Sequence, residues 1–159
     1  MIRCKNENIN TKVIHNVSIL NCYGCYGLYS YNFGKIISIP YFTDSWKPIS
    51  FFDNIVNNYN NNLHTLCLPD IKTDENRFMS INEAIKEIEY AESVKKSNIF
   101  SLNTKLIAIC RFSTDDEYVV YDTAENLLSR DFGKPLHSLI FPAKLSIIEK
   151  EMLEDLFKL

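Results

Sequence analysis

Short apolar runs alternate along this chain with stretches whose apolar residues recur at helical spacing, and that alternation restricts the fold more than any other feature of the sequence. The runs "GKIISIPYF" (34–42), "LHTLCLPDI" (63–71), "KLIAICRF" (105–112) and "HSLIF" (137–141) are short and apolar, so they read as buried strands. "TKVIHN" (11–16) reads as a further one. Pro40 places its strand near an edge or at a bulge, because proline cannot donate to a ladder. Between the runs, Phe51, Phe52, Ile55, Val56 and Tyr59 share one side of a helix that opens near Pro48, with Ser50 or Asp44 as cap. In "MSINEAIKEIEYAESVKK", Ser80 and Glu83 form an S-x-x-E capping box, and Ile81, Ala84, Ile85, Ile88 and Ala91 mark one face. Ser146 and Glu149 repeat the box ahead of "IIEKEMLEDLFKL". Ser18 caps a helix through "ILNCYGCYGLYSY", which tolerates Gly24 and Gly27 if another backbone packs closely there. "STDDEYVVYDTAENLLSRDFG" reads as a turn followed by a helix that ends before Gly133. The order predicts an α/β architecture with crossover connections.

Composition narrows the function classes. A length of 159 residues suits one domain, or one domain with a piece of another. The formal net charge of −3 leaves no electrostatic footprint for nucleic acid, and Lys95–Lys96 is the only adjacent basic pair. No apolar run approaches the roughly 20 residues a membrane span needs. The polar start "MIRCKNENIN" has no signal-peptide core, so a cytoplasmic setting is expected. With only four glycines, the chain has neither a G-x-G-x-x-G nor a P-loop. Five scattered cysteines argue against a disulfide framework. Cys22 and Cys25 have C-x-x-C spacing, which suits half a zinc site or a redox pair, with His15 the nearest third ligand. No second pair exists and the two fall inside a helix, so small core residues is the plainer reading. The asparagines at 57–62 carry no assignable chemistry.

His137, in "GKPLHSLIF", opens the last apolar run. It can be a metal ligand, a base, a pocket wall or a core histidine with a partner. Apolar neighbours and the lack of a second ligand at i+4 favour a pocket or the core over a metal. Ser18 reads as an N-cap, with or without a ligand at the helix N-terminus. Phe112 reads as core packing. Asp44, Asp115 and Asp116 are loop carboxylates that can meet a substrate or simply be solvated. Arg111 can pair with a substrate carboxylate or with a structural one.

Several patterns occur together and in order: "VIHN-SI-N" (13–21), "TD-W-P-SFFD" (43–53), "HTLCL-DIK" (64–72), "RFMSINEA", "CRFSTDD" and "GKPLHSLI" (133–140). Through them the sequence resembles the diphthine synthase family over nearly all its length. The resemblance implies an S-adenosylmethionine-dependent methyltransferase that modifies a histidine derivative on translation elongation factor 2 during diphthamide synthesis, releasing S-adenosylhomocysteine. It implies a tetrapyrrole-methylase-like α/β fold, with a mixed sheet and flanking helices, and a homodimer. This chain aligns with the C-terminal portion: residues 1–32 as remnant N-terminal domain and connecting helix, residues 33–159 as C-terminal domain, the N-terminal domain mostly absent. Transferred position by position, the cofactor contacts are Ser18, Ile19, Pro69, Phe112 and His137, with His137 at the adenine end. At Pro69 the relatives usually have leucine, so an amide contact is lost there while a carbonyl or packing contact survives. No catalytic base is implied, since the donor is already activated and the protein mainly aligns donor and acceptor. The alternatives are a non-catalytic dimerisation or elongation-factor-docking module of the same fold, and a methyltransferase of that fold acting on another small substrate.

Overall fold

The computed structural model describes residues 1–157, apart from the side chains of Cys22, Tyr23 and Cys25. The C-x-x-C pair therefore lies outside the described residues. The chain begins with a short exposed helix α1 (Ile2–Asn6) and a turn of helix α2 (Ile19–Cys22). The main body then runs through β1 (Ile37–Ile39), α3 (Ser50–Asn60), β2 (Thr65–Pro69), a hairpin of β3 (Ile71–Lys72) and β4 (Arg77–Phe78), and α4 (Ile81–Lys95). It continues through β5 (Lys105–Cys110), β6 (Tyr118–Thr123), α5 (Ala124–Leu128), β7 (His137–Phe141) and α6 (Ile147–Leu156).

Five strands form one mixed sheet in the order β1-β2-β7-β5-β6. Only β1 and β2 are parallel, joined by the α3 crossover; every other pair is antiparallel. β7 inserts between β2 and β5, so the last strand in sequence is central in space. The C-terminal ends of β1, β2 and β5 and the N-terminal ends of β6 and β7 consequently share one end of the sheet. Proline 40 follows β1, an edge strand, as expected. Pro69 closes β2 where its pairing with β7 has already stopped at Cys67↔Leu139, so the missing N–H removes no ladder bond.

Strand alternation divides the core into two layers. On one face, Ile39, Cys67, Leu106, Ala108, Leu139 and Phe141 pack against α3, α4 and α5. On the other, Leu66, Ile107, Ile109 and Ile140 pack against Tyr26, Leu28 and Leu153 of α6. Helix α4 presents the predicted face in full: Ile81, Ala84, Ile85, Ile88 and Ala91 are all completely buried. Each isoleucine contributes about 2 kcal/mol of apolar burial. Both capping boxes form, at Ser80/Glu83 and Ser146/Glu149.

Four expectations fail. Residues 11–16 are not a strand: they are irregular and exposed, with Ile14 at 82%. Apolar content alone does not make a strand; a ladder partner is needed, and the sheet offers this segment none. The helix expected over 18–31 stops after one turn, continues as 3-10 helix to Tyr26 and turns at Gly27, where φ is +88°. Close packing at both glycines is real, however: a Cβ would lie 2.9 Å from Ser30 at Gly24 and 2.7 Å from the Met152 Cβ at Gly27. Finally, 113–133 is a hairpin turn, a full edge strand (β6) and only a short helix. Neither Ser50 nor Asp44 caps α3, whose N-cap position is Ile49 with no side-chain cap.

Candidate functional site

All five predicted cofactor contacts map to one end of the sheet or to the segment beside it. Ile19 and Phe112 meet in a recess of about 350 Å³, completed by Arg111, Thr114, Pro135, Leu136 and Ser138. That volume lies at the lower bound for small-molecule sites. Apolar side chains form most of its wall, and Ser138 and Thr114 bring hydroxyls. Phe112 is steadied by an edge-on contact with Tyr26, ring centres 6.2 Å apart. Ser18 is exposed beside it; its Oγ accepts from the Leu20 N–H at 3.3 Å, as a cap should. Larger hollows elsewhere involve none of these residues: one of about 720 Å³ lies among residues 1–11, another of about 580 Å³ at the opposite end of the sheet.

Pro69 and His137 lie at the same sheet end but on the other face. His137 pairs with Cys110 and shares its side of the sheet, whereas Ser138 turns toward the recess. The alternation of β7 therefore brings Ser138, and not His137, into the wall with Ile19 and Phe112, a consequence readable from the strand register once the strand is known. The half-buried imidazole packs edge-on to Phe132 at 6.2 Å. Its Nε2 sits 3.0 Å from the Lys134 carbonyl, which can only accept, so Nε2 carries the proton. Nδ1 is left as a buried acceptor with no hydrogen-bond partner. Burial, helped by the nearby Arg111 charge, holds this histidine below its usual pKa, so it is neutral at pH 7.

The rim of the recess is built by Arg111. Its guanidinium contacts Asp116 at 2.8 Å and the carbonyls of Phe132 (2.8 Å) and Lys134 (2.9 Å). It thus ties the β5–β6 loop to the segment leading into β7. These bonds hold two left-handed residues, Arg111 (φ 51°) and Ser113 (φ 62°), a conformation costing roughly 1–2 kcal/mol each. Thr114 Oγ1 lies 2.7 Å from both the Arg111 carbonyl and an Asp116 oxygen and donates to one at a time. The Thr114 hydroxyl, then Arg111, keep the Asp116 carboxyl below the usual range. Arg111 and Asp116 are thereby committed to each other and to the backbone. Asp44 and Asp115 are exposed loop residues. Among the described residues no group of three His, Cys, Asp or Glu side chains is placed to hold a metal.

The recess offers apolar surface for an adenosine-like ring, with the Ser138 and Thr114 hydroxyls as its polar positions, while His137 lies across the sheet from it. No protein-family model matches the chain. Individual proteins do. It is 38% identical over 169 residues to the diphthine methyl ester synthase of Dictyostelium discoideum, covering 97% of this chain and 62% of that protein. It is 35% identical to the human diphthine methyl ester synthase, covering 96% and 61%, and 37% identical to the diphthine synthase of Methanocaldococcus jannaschii, covering 98% and 61%. A solved structure assigned as a diphthine synthase from Entamoeba histolytica superposes with a TM-score of 0.93 at 37% identity, over 99% of this chain and 64% of that one. The chain thus spans about three fifths of the length of the relatives it matches.

Proposed function

Because this chain belongs to the diphthine synthase family, we propose that it serves S-adenosylmethionine-dependent methyl transfer to the modified histidine of translation elongation factor 2, in the cytoplasm and as a homodimer. The observation that most supports this reading is the convergence of all five family-derived positions on one sheet end, with a recess between two of them. The cofactor, when bound, supplies a methyl group on a sulfonium, which leaves as the acceptor bond forms. Ile19, Phe112 and Leu136 would give its adenosine apolar contact, and Ser18 and Ser138 polar atoms. His137 would meet the cofactor only where it reaches round the sheet end to the other face, since Nε2–H is spent on Lys134 and Nδ1 is buried. Pro69 would contribute packing or its carbonyl. The work of these residues is alignment and exclusion of water rather than proton transfer.

A second reading, a dimerisation or docking module without turnover, draws on two observations: the three-fifths coverage, and the exposed apolar side chains of Ile14, Ile147 and Ile148. Calorimetric titration of the chain with S-adenosylhomocysteine separates the two. Methyl transfer predicts saturable binding that His137→Ala weakens by about tenfold, the loss of one good hydrogen bond, in a variant that still folds. A folded chain that takes up no heat of binding favours the docking module.

A further inference from the structure

We propose that Arg77 is the residue that receives the carboxylate of the methyl acceptor, with Lys72 beside it; this rests on the methyl-transfer reading. The relatives are named for a methyl ester, and a methyl ester forms when a carboxylate oxygen takes the methyl group. In that step the new O–C bond forms as the S–C bond of the sulfonium breaks, leaving a neutral thioether, and no proton moves. The acceptor therefore arrives as an anion and must be held by cations, for which the guanidinium fork is best matched.

Arg111 is less suited, because its Nε holds Asp116, its Nη1 holds two carbonyls, and its side chain is only 14% exposed. Lys134 stands on an exposed loop facing Asp116. Arg77 differs. Its guanidinium carbon lies over the Tyr41 ring, 3.7 Å from the centre, in a cation–π contact. Its nearest carboxylate oxygen, on Glu83, is 3.9 Å away, too far for a hydrogen bond. The side chain is about half exposed, at 47%. The guanidinium is thus held against Tyr41 and only loosely paired with Glu83, with Lys72 5.7 Å from the same ring centre.

Its position is fixed by Asp70, the residue after Pro69. The Asp70 N–H donates to Ile39 at 3.0 Å, its carboxylate accepts from Tyr41 at 3.2 Å, and its carbonyl accepts from Met79 at 3.0 Å. The β3–β4 hairpin is thereby fastened to the same sheet end as the recess. From β1, which leads into Tyr41, to β7, which carries His137, is two strand spacings, about 10 Å. The neighbouring carboxylates make no close contact with the fork: Glu83 Oε2 accepts from the Ser80 N–H and leaves Oε1 3.9 Å from Arg77, Glu87 accepts from the Phe42 N–H, and Glu75 pairs with Lys72.

The test compares two probes on the 159-residue chain by fluorescence anisotropy: a histidine peptide alkylated on the imidazole with 4-bromobutanoate, and its methyl ester. The carboxylate peptide should bind about tenfold more tightly than the ester, and Arg77→Met should erase that preference while Arg77→Lys keeps part of it. A purely structural Arg77 would shift the melting temperature without changing the ratio of the two affinities. Equal binding of the two peptides, or a preference that survives Arg77→Met, overturns the proposal. Titration of the same samples with S-adenosylhomocysteine keeps the two readings apart. A carboxylate preference lost in Arg77→Met without cofactor binding sinks the methyl-transfer reading alone; cofactor binding without the preference sinks Arg77 alone.

Discussion

His64 is completely buried, and a single backbone amide settles its tautomer. The Ala143 N–H donates to Nδ1 at 3.0 Å, so Nδ1 carries no proton and Nε2–H points at Glu149, 3.1 Å away. Besides this histidine, Glu149 accepts from the Tyr29 N–H at 2.9 Å and the Ser146 N–H at 2.9 Å. Burial works to raise the Glu149 pKa, but these donors outweigh it and the carboxyl is held below its usual range. Glu149→Gln places an amide where acceptors are needed and should cost about 2–4 kcal/mol by urea unfolding, whereas Glu83→Gln in the exposed box should cost about 1 kcal/mol or less. Equal costs for the two would show that the buried network adds nothing. Asn58 is a similar case. Its carboxamide accepts from the Lys35 N–H and donates to the Lys35 carbonyl and Thr65 Oγ1. One member of a featureless asparagine run is thus a core residue, recognisable only once β1 and α3 are docked.

Among the elements, α4 and β6 mark the extremes of legibility. Helix α4 carries its own start signal, its own period and a left-handed stop at Lys96 (φ 54°), so local rules suffice. β6 has a readable signal too, the aromatic and β-branched run "YVVY" after an acidic turn, but it abuts α5 without a break, so the sequence reads as a single helix there. The segment at 19–33 shows the opposite failure. Its helix period is sound locally, yet docking against α6 imposes a positive φ at Gly27 and leaves a Cβ there only 2.7 Å from the Met152 Cβ. Because that neighbour is the rigid root of a side chain, Gly27→Ala should lower stability by about 1–3 kcal/mol. A melting temperature unchanged within error would show that this segment does not bear on α6.

For the molecule as a whole, buried acids in different places give stability a pH dependence of mixed sign. Glu149, with a lowered pKa, contributes fully above about pH 4.5, and the contribution is lost as pH falls. His137, also lowered, contributes above about pH 6.5 and loses it on acidification. Glu87 acts the other way. Burial between α4 and the 41–49 loop pushes its carboxyl up to about 7 and leaves Oε2 without a hydrogen-bond partner. Its contribution is complete below about pH 4.5 and is lost as pH rises through about 7. Glu87→Gln, which imitates the neutral acid, should therefore gain on the order of 1–3 kcal/mol over the unsubstituted chain at pH 8 and nothing at pH 5. Urea midpoints at the two pH values decide; a gain of the same size at both would mean that ionisation of Glu87 is not its source.

By itself the sequence determined what local interactions can specify: the buried strands at 37–39, 65–69, 105–110 and 137–141, the capped helices α4 and α6, the edge position announced by Pro40, and, through long motifs, the family. The tertiary structure decided what depends on which strands become neighbours. It made the last strand central, put Ser138 and His137 on opposite faces, tied Arg111 into the rim and left Arg77 half exposed over Tyr41. It also separated two identical S-x-x-E boxes into a surface cap and a buried hub. Local signals record what a residue prefers within a few positions of itself. The partner of a buried polar group is set by pairing across tens of residues, 85 in the case of His64 and Glu149, and no periodicity carries that information.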